Sequence, residues 1–191
     1  MPLKLITAPD ELAVDLNDAK LHLRVDQNAE DSLISALIHS ATSMAEQKTG
    51  RAIMPQTWEL TLDSFPDAFE LTCIPVASVS SVKYINTAGE QVTLDSTLYT
   101  LDATDDYSPA RIIPAYGATW PAAREQANAV TVRYVAGYAE VPEAIKTWIK
   151  VMTAAMYENR SAETVGSGSA IQLVQLGYVD RLLDRFKVWG V

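Results

Sequence analysis

Near the N-terminus, apolar residues recur at three- and four-residue steps, the spacing that lines one face of a helix. Leu12, Leu16, Ala19 and Leu23 mark the first such stretch, with Asp15 or Asn17 placed to cap it and Val25-Asp26-Gln27-Asn28 as its exit. A second runs from about Glu30 to Lys48 and carries the stripe Leu33, Ile34, Leu37, Ile38, Ala41, Met44 and Ala45. Glu30 and Asp31 suit the positive end of that helix, Lys48 suits its negative end, and Gly50 supplies a left-handed stop. The short turn between the two stretches predicts an N-terminal helical hairpin.

The period then drops to two. Trp58, Leu60 and Leu62 alternate with Thr57, Glu59 and Thr61, as in a half-buried strand. Val79 to Ile85 repeats the pattern, Asn86-Thr87-Ala88-Gly89 forms a turn, and Glu90 to Leu94 returns as the second arm of a hairpin. Shorter strands are expected at Leu98 to Leu101, Arg111 to Ile113 and Ala129 to Val135. Pro66, Pro75, Pro109, Pro114 and Pro121 fall between them, at strand ends or in loops.

Helical spacing resumes at Val141-Pro142. Ala144, Ile145, Trp148, Ile149, Val151, Met152, Ala155 and Met156 leave a narrow polar stripe of Glu143, Lys146, Lys150 and Thr153. A helix apolar around most of its girth is expected to be enclosed, by other elements or by a neighbouring subunit. Ser161 to Ser169 reads as a flexible polar linker. Tyr178, Val179, Leu182, Leu183 and Phe186 then regain helical spacing ahead of Trp189.

The fold class expected is therefore α+β, with the N-terminal hairpin and the C-terminal helices forming a helical core and a small antiparallel β unit inserted between them. The expected boundaries are residues 1–54 for the hairpin, 55–136 for the β unit and 137–191 for the C-terminal helices, with the linker at 161–169.

Composition narrows the classes without choosing a function. The chain has 191 residues, 48% hydrophobic and 20% charged, which excludes disorder. No run of 18 apolar residues marks a membrane span, and the start, Met1-Pro2-Leu3-Lys4-Leu5-Ile6 followed by Asp10 and Glu11, does not read as a signal peptide. Fifteen Lys and Arg stand against 24 Asp and Glu, a formal charge of −9 without a basic cluster, which argues against a nucleic-acid coat. The single cysteine, Cys73, reads as a small buried hydrophobe and fits synthesis in a reducing cytoplasm.

Candidate chemistry is sparse. His22 and His39 lie singly in predicted helices, without the H-E-x-x-H spacing of a zinc site. Gly166-Ser167-Gly168-Ser169 lacks the Lys and the preceding strand of a phosphate loop, and no serine occupies a G-x-S-x-G elbow. Asp102, Asp105 and Asp106 form the densest acidic cluster, able in principle to act as acid and base or to hold a cation, but they lack the order of a calcium loop and read as a solvated turn. No catalytic residue, metal set or cofactor is expected. The candidates for partner contact are Trp120, Tyr138, Trp148, Tyr157, Arg160 and Trp189.

The order of several short motifs resembles the head–tail connector (adaptor) proteins of tailed bacteriophages and prophages, in the longer form with a β insertion. The stretches are Leu16-Asn17-Asp18-Ala19-Lys20-Leu21-His22-Leu23-Arg24-Val25-Asp26, Glu46 to Arg51, Gln56-Thr57-Trp58 and Pro75 to Tyr84. They continue with Trp120-Pro121, Tyr134-Val135-Ala136-Gly137-Tyr138, Pro142 with Ile145, and Tyr157-Glu158-Asn159-Arg160. The resemblance implies a non-enzymatic virion protein at the head–tail junction. Its expected partners are copies of itself in a ring, the portal protein, and a stopper or tail-completion protein, with DNA passing through transiently and no membrane involved. Another neck or tail-completion (stopper) component and a small enzyme with an acidic site are the alternatives.

Overall fold

The computed structural model describes residues 2–104, 108–159 and 177–188. The described residues fall into two compact units. One draws on Met1–Pro9, Met54–Ala139 and Val188–Val191, the other on Asp10–Ile53 and Glu140–Lys187.

The first unit is built of antiparallel strands: β1 (Leu3–Thr7), β2 (Gln56–Leu62), β3 (Phe69–Leu71), β4 (Val76–Ile85), β5 (Gln91–Thr93), β6 (Tyr99–Asp102), β7 (Ala110–Pro114) and β8 (Val130–Ala136), with a single 3-10 turn at Ser96–Leu98. Five of them form a sheet in the order β1-β2-β8-β4-β5, and three form a second sheet in the order β3-β7-β6. The alternation read in β2 and β8 is the reason for this layering. Leu60 pairs with Val132, which pairs with Val82, and all three are buried on one face of the large sheet. Tyr134, Phe69, Leu71 and Ile112 are buried in the same unit.

Two strands differ from the sequence expectation. Residues 3–7, considered above only as a possible leader, form β1, which pairs with β2 from Leu3↔Leu60 to Thr7↔Thr57. The three-residue β3 was not anticipated either; it pairs with β7 from Phe69↔Ile112 to Leu71↔Ala110. β1 is an edge strand, and its edge carries Lys4 and a register irregularity between Leu5 and Thr7. Both features discourage pairing with a foreign strand.

The second unit holds α1 (Leu16–Leu23), α2 (Asp31–Thr49), α3 (Glu143–Glu158) and α4 (Gly177–Asp184). Asp15 caps α1: its Oδ1 accepts from the backbone N–H of Asn17 at 2.8 Å and of Asp18 at 3.3 Å. Arg24 ends α1 in a left-handed conformation, φ 57°, with the Val25 N–H returned to the Lys20 carbonyl at 3.0 Å. Gly50 ends α2 in the same conformation, φ 70°, its N–H bonded to the Glu46 carbonyl at 2.8 Å.

Lys20 fixes the turn between α1 and α2. It is a buried lysine whose Nζ donates to Asn28 Oδ1 at 2.6 Å and to Asp31 Oδ1 at 2.7 Å. Replacing it with methionine keeps the stem and removes both bonds, leaving a part-buried carboxylate at the start of α2. The expected loss is about 1.5–3 kcal/mol, the range for hydrogen bonds to charged groups, measured by urea titration of far-ultraviolet circular dichroism.

The helix expected to be enclosed on most sides is deeply buried on one face only. Ile145, Trp148, Ile149 and Thr153 are fully buried, whereas Val151, Met152, Ala155 and Met156 are half-buried among the described residues. Pro142 sits one position ahead of the helix as its N-cap rather than within its first turn.

Candidate functional site

Several polar contacts of the helical unit meet at α4. Asp180 accepts two hydrogen bonds, from Trp148 Nε1 at 3.0 Å and from Lys48 Nζ at 2.8 Å. The Lys48 hydrogen bond is the main reason the Asp180 carboxyl titrates below the usual carboxylate range; partial burial opposes it, and the Trp148 bond adds to it. Arg51, itself buried, donates through Nε to the Phe186 carbonyl, and the Ile53 N–H donates to Glu46 Oε1 at 2.9 Å. Tyr157 donates its hydroxyl to Glu30 Oε2. These groups tie the last helix and the end of α3 to α2. A hydrogen-bond donor thus sits beside a carboxylate at two points, Lys48 and Trp148 at Asp180 and Tyr157 at Glu30.

In the β unit, Trp120 is half-buried in an aromatic cluster. Its ring stacks on Phe65 with centroids 5.1 Å apart and meets Phe69 edge-on at 5.2 Å, while Phe65 contacts Tyr84 edge-on at 5.5 Å. This is the arrangement expected of an aromatic that closes its own unit's core. Tyr134 lies on the core face of β8, where burial raises its phenol above the ordinary range.

Among the expected contact residues, then, Trp148 is fully buried in the helical unit, Tyr157 and Tyr138 are half-buried, and Trp120 belongs to the aromatic cluster. Arg160 and Trp189 lie outside the described residues, as do the linker at 161–169 and Asp105 and Asp106. The remaining acid of that cluster, Asp102 on β6, faces Arg111 at 3.8 Å. Together with Glu70, Thr104 and Ser108 these two line a polar groove of about 340 Å3. Among the described residues, no three His, Cys, Asp or Glu side chains are grouped to hold a metal ion. His22 and His39 are both exposed on their helices. No described helix is long and apolar enough to cross a membrane.

Sequence reasoning missed the Lys48–Asp180–Trp148 clasp and the burial of Lys20 and Arg51. The one available signal was the placement of Lys20, which points toward the apolar side of α1 beside Ala19.

A family model matches part of the chain. Residues 13–93, which cover α1, α2 and strands β2 to β5, match the family described as phage gp6-like head–tail connector protein. This bears out the resemblance read from the sequence. Solved structures extend the likeness to the whole fold. The chain is similar to one in the neck of an empty GTA particle computed with C6 symmetry, at 24% identity and a TM-score of 0.78, covering 100% of this chain and 97% of that one. It is also similar to a chain in the virion of a native gene transfer agent (GTA) particle, at 23% identity and a TM-score of 0.76, covering 100% and 97% of the two chains. A third match, to the neck of a native GTA particle computed with C12 symmetry, has 22% identity, a TM-score of 0.76 and the same coverage. The α+β class expected from the sequence is the class observed. No curated protein matches the sequence.

Proposed function

We infer that this chain is a structural neck protein of a tailed phage or prophage, a head–tail connector located at the head–tail junction of the virion. In this reading it forms a ring beneath the portal, continues the DNA channel, and offers a docking surface to a stopper or tail-completion protein. The observation that carries the reading is the coincidence of the connector-family match over residues 13–93 with full-length similarity to chains from particle necks. Symmetry of order six and twelve in those necks supports a cyclic arrangement, in which each copy uses one surface to meet a different surface of the next.

The chemistry of the chain is consistent with work done by shape and contact. Its formal charge of −9 disfavours adhesion of DNA phosphates to a channel through which the genome must leave. Tyr138, Tyr157, Arg160 and Trp189 are the positions proposed to contact neighbouring copies or partners, whereas Trp148, fully buried, and Trp120, packed on Phe65 and Phe69, act by shaping their own units. The test is negative-stain imaging of the purified protein mixed with its cognate portal. Annular density added to one end of the portal is expected. Portal particles indistinguishable from those without the protein would overturn the reading.

A further inference from the structure

The solvent face of the five-stranded sheet is cationic on an acidic chain. Cross-strand pairing places Lys4, Glu59, Arg133 and Ser81 in one row, through Lys4↔Glu59, Glu59↔Arg133 and Ser81↔Arg133. The adjoining row on the same face holds Thr61, Thr131, Lys83 and Thr93, through Thr61↔Thr131, Lys83↔Thr131 and Lys83↔Thr93. Because Leu60, Val132 and Val82 occupy the opposite face and are buried, these rows face away from the unit's core.

Glu59, Ser81, Lys83, Gln91, Thr131 and Arg133 line a basin of about 240 Å3 on this face. Glu59 accepts from Arg133 Nε at 2.6 Å, so that pair is locally balanced. Lys83 and Lys4 have no acidic partner among the described residues. Three of the chain's 15 Lys and Arg thus stand here against one of its 24 Asp and Glu, so the patch is net positive on a molecule of formal charge −9.

We propose that this sheet face is a subunit-contact surface that receives the carboxylate-bearing surface of a second copy of this chain. The proposal rests on the connector reading, and it names the surface by which neighbouring copies meet. Charge complementarity selects the occupant: outside this patch the chain is more acidic than its total charge indicates, so any other surface of an identical copy is on average its electrostatic complement. A ring contact joins two different patches, and a cationic face meeting an acidic one satisfies that requirement while disfavouring the same-face pairing of a closed dimer. Duplex DNA is a poorer occupant. One of the three cations is already neutralised by Glu59, and the two that remain fall short of the clustered Lys and Arg that phosphate binding uses. The Ser81, Thr131 and Gln91 side chains add neutral groups able to donate to carboxylate oxygens.

The experiment compares the wild-type chain, K83E/K4E and the neutral variant K83T, each mixed with the cognate portal and followed by native mass spectrometry. Circular dichroism checks the fold of each variant. Thr is suited to a strand and already occupies the cross-strand neighbour Thr131, so K83T is expected to fold like the wild type. Wild-type copies are expected to assemble on the portal, K83E/K4E to lose copy-to-copy association by at least about ten-fold, and K83T to fall between them, with wild-type assembly weakening as salt rises. Equal assembly of wild type and K83E/K4E overturns this proposal and leaves the connector reading standing. Failure of the wild type to assemble on the portal overturns the connector reading, and this proposal with it. Unchanged assembly accompanied by loss of binding to a duplex DNA probe in K83E/K4E overturns the proposal in favour of phosphate as the occupant.

Discussion

Gly137→Ala is expected to destabilise the β unit by about 3 kcal/mol or more, placing it among the most damaging single substitutions in the chain. Gly137 follows β8 with φ 126°, a backbone conformation that L side chains rarely adopt. A Cβ built there stands 2.2 Å from the Met54 carbonyl oxygen, 2.4 Å from its carbon and 2.7 Å from Pro55 N. All three are backbone atoms, so no rotamer change relieves the clash. Moving the backbone instead disturbs the Gly137 N–H bond to the Pro75 carbonyl at 2.8 Å, and with it the neighbouring pairs Gln56↔Ala136 and Val76↔Ala136. For a chain of this size each kcal/mol corresponds to about 2–4 °C, so thermal denaturation followed by circular dichroism should show a fall of about 6–12 °C. A melting temperature within one degree of the wild type would show that the turn accommodates a methyl group and that the close approach is not a constraint.

The second large effect is at Trp148. Removing the indole with Trp148→Ala is expected to cost about 3–5 kcal/mol, since the side chain is fully buried between α3 and its neighbours in the helical unit. Asp180→Ala acts on the same contact from the other side. It strips the acceptor from a buried indole N–H and the partner from Lys48, with an expected cost of about 1–3 kcal/mol. Because both changes remove the same hydrogen bond, the double variant should lose less than the sum of the two, and denaturant titration of the four proteins measures the coupling.

The acid side of the stability profile follows from the same carboxylate. Its folded-state value is depressed, chiefly by the Lys48 hydrogen bond, so its contribution is complete above the ordinary unfolded value of about 3.9 and is lost as pH falls through the lower folded value. The wild type should therefore shed part of its stability below about pH 4, and Asp180→Ala should lack that portion of the decline. Parallel acid profiles for the two proteins would remove the clasp from the account.

Much of the architecture was legible because two periods are written plainly into the chain. The three- and four-residue spacing of Ile34, Ile38, Ala41 and Ala45 produced α2, and these four residues are fully buried. The alternation through Leu60, Val130, Val132 and Tyr134 likewise marked the core face of β2 and β8. The caps at Asp15 and Gly50 were local signals, satisfied by backbone within three or four residues. β1 escaped notice because Leu3-Lys4-Leu5-Ile6-Thr7 lacks clean alternation and pairs with a strand 50 to 57 residues further along the chain. β3 is too short at three residues to show any period.

What the linear order of residues settled by itself was the alternation of helical and extended segments, their approximate ends, and the acidic character of the whole, since each depends on neighbours within a few positions. Tertiary structure alone decided which charged side chains would be taken inside. Lys20, Arg51 and Asp180 look like surface residues in isolation, and Lys20 and Arg51 are buried. Each is held by partners from other turns and helices: Asn28 and Asp31 of the following turn for Lys20, the Phe186 carbonyl for Arg51, and Lys48 and Trp148 for the partly exposed Asp180. The cost of removing a charge from water is offset only when such a partner is in place, and no local pattern along the chain records that meeting. The cationic sheet face has the same origin. Lys4, Lys83 and Arg133 are scattered over 130 residues of sequence, and strand register brings them to one surface.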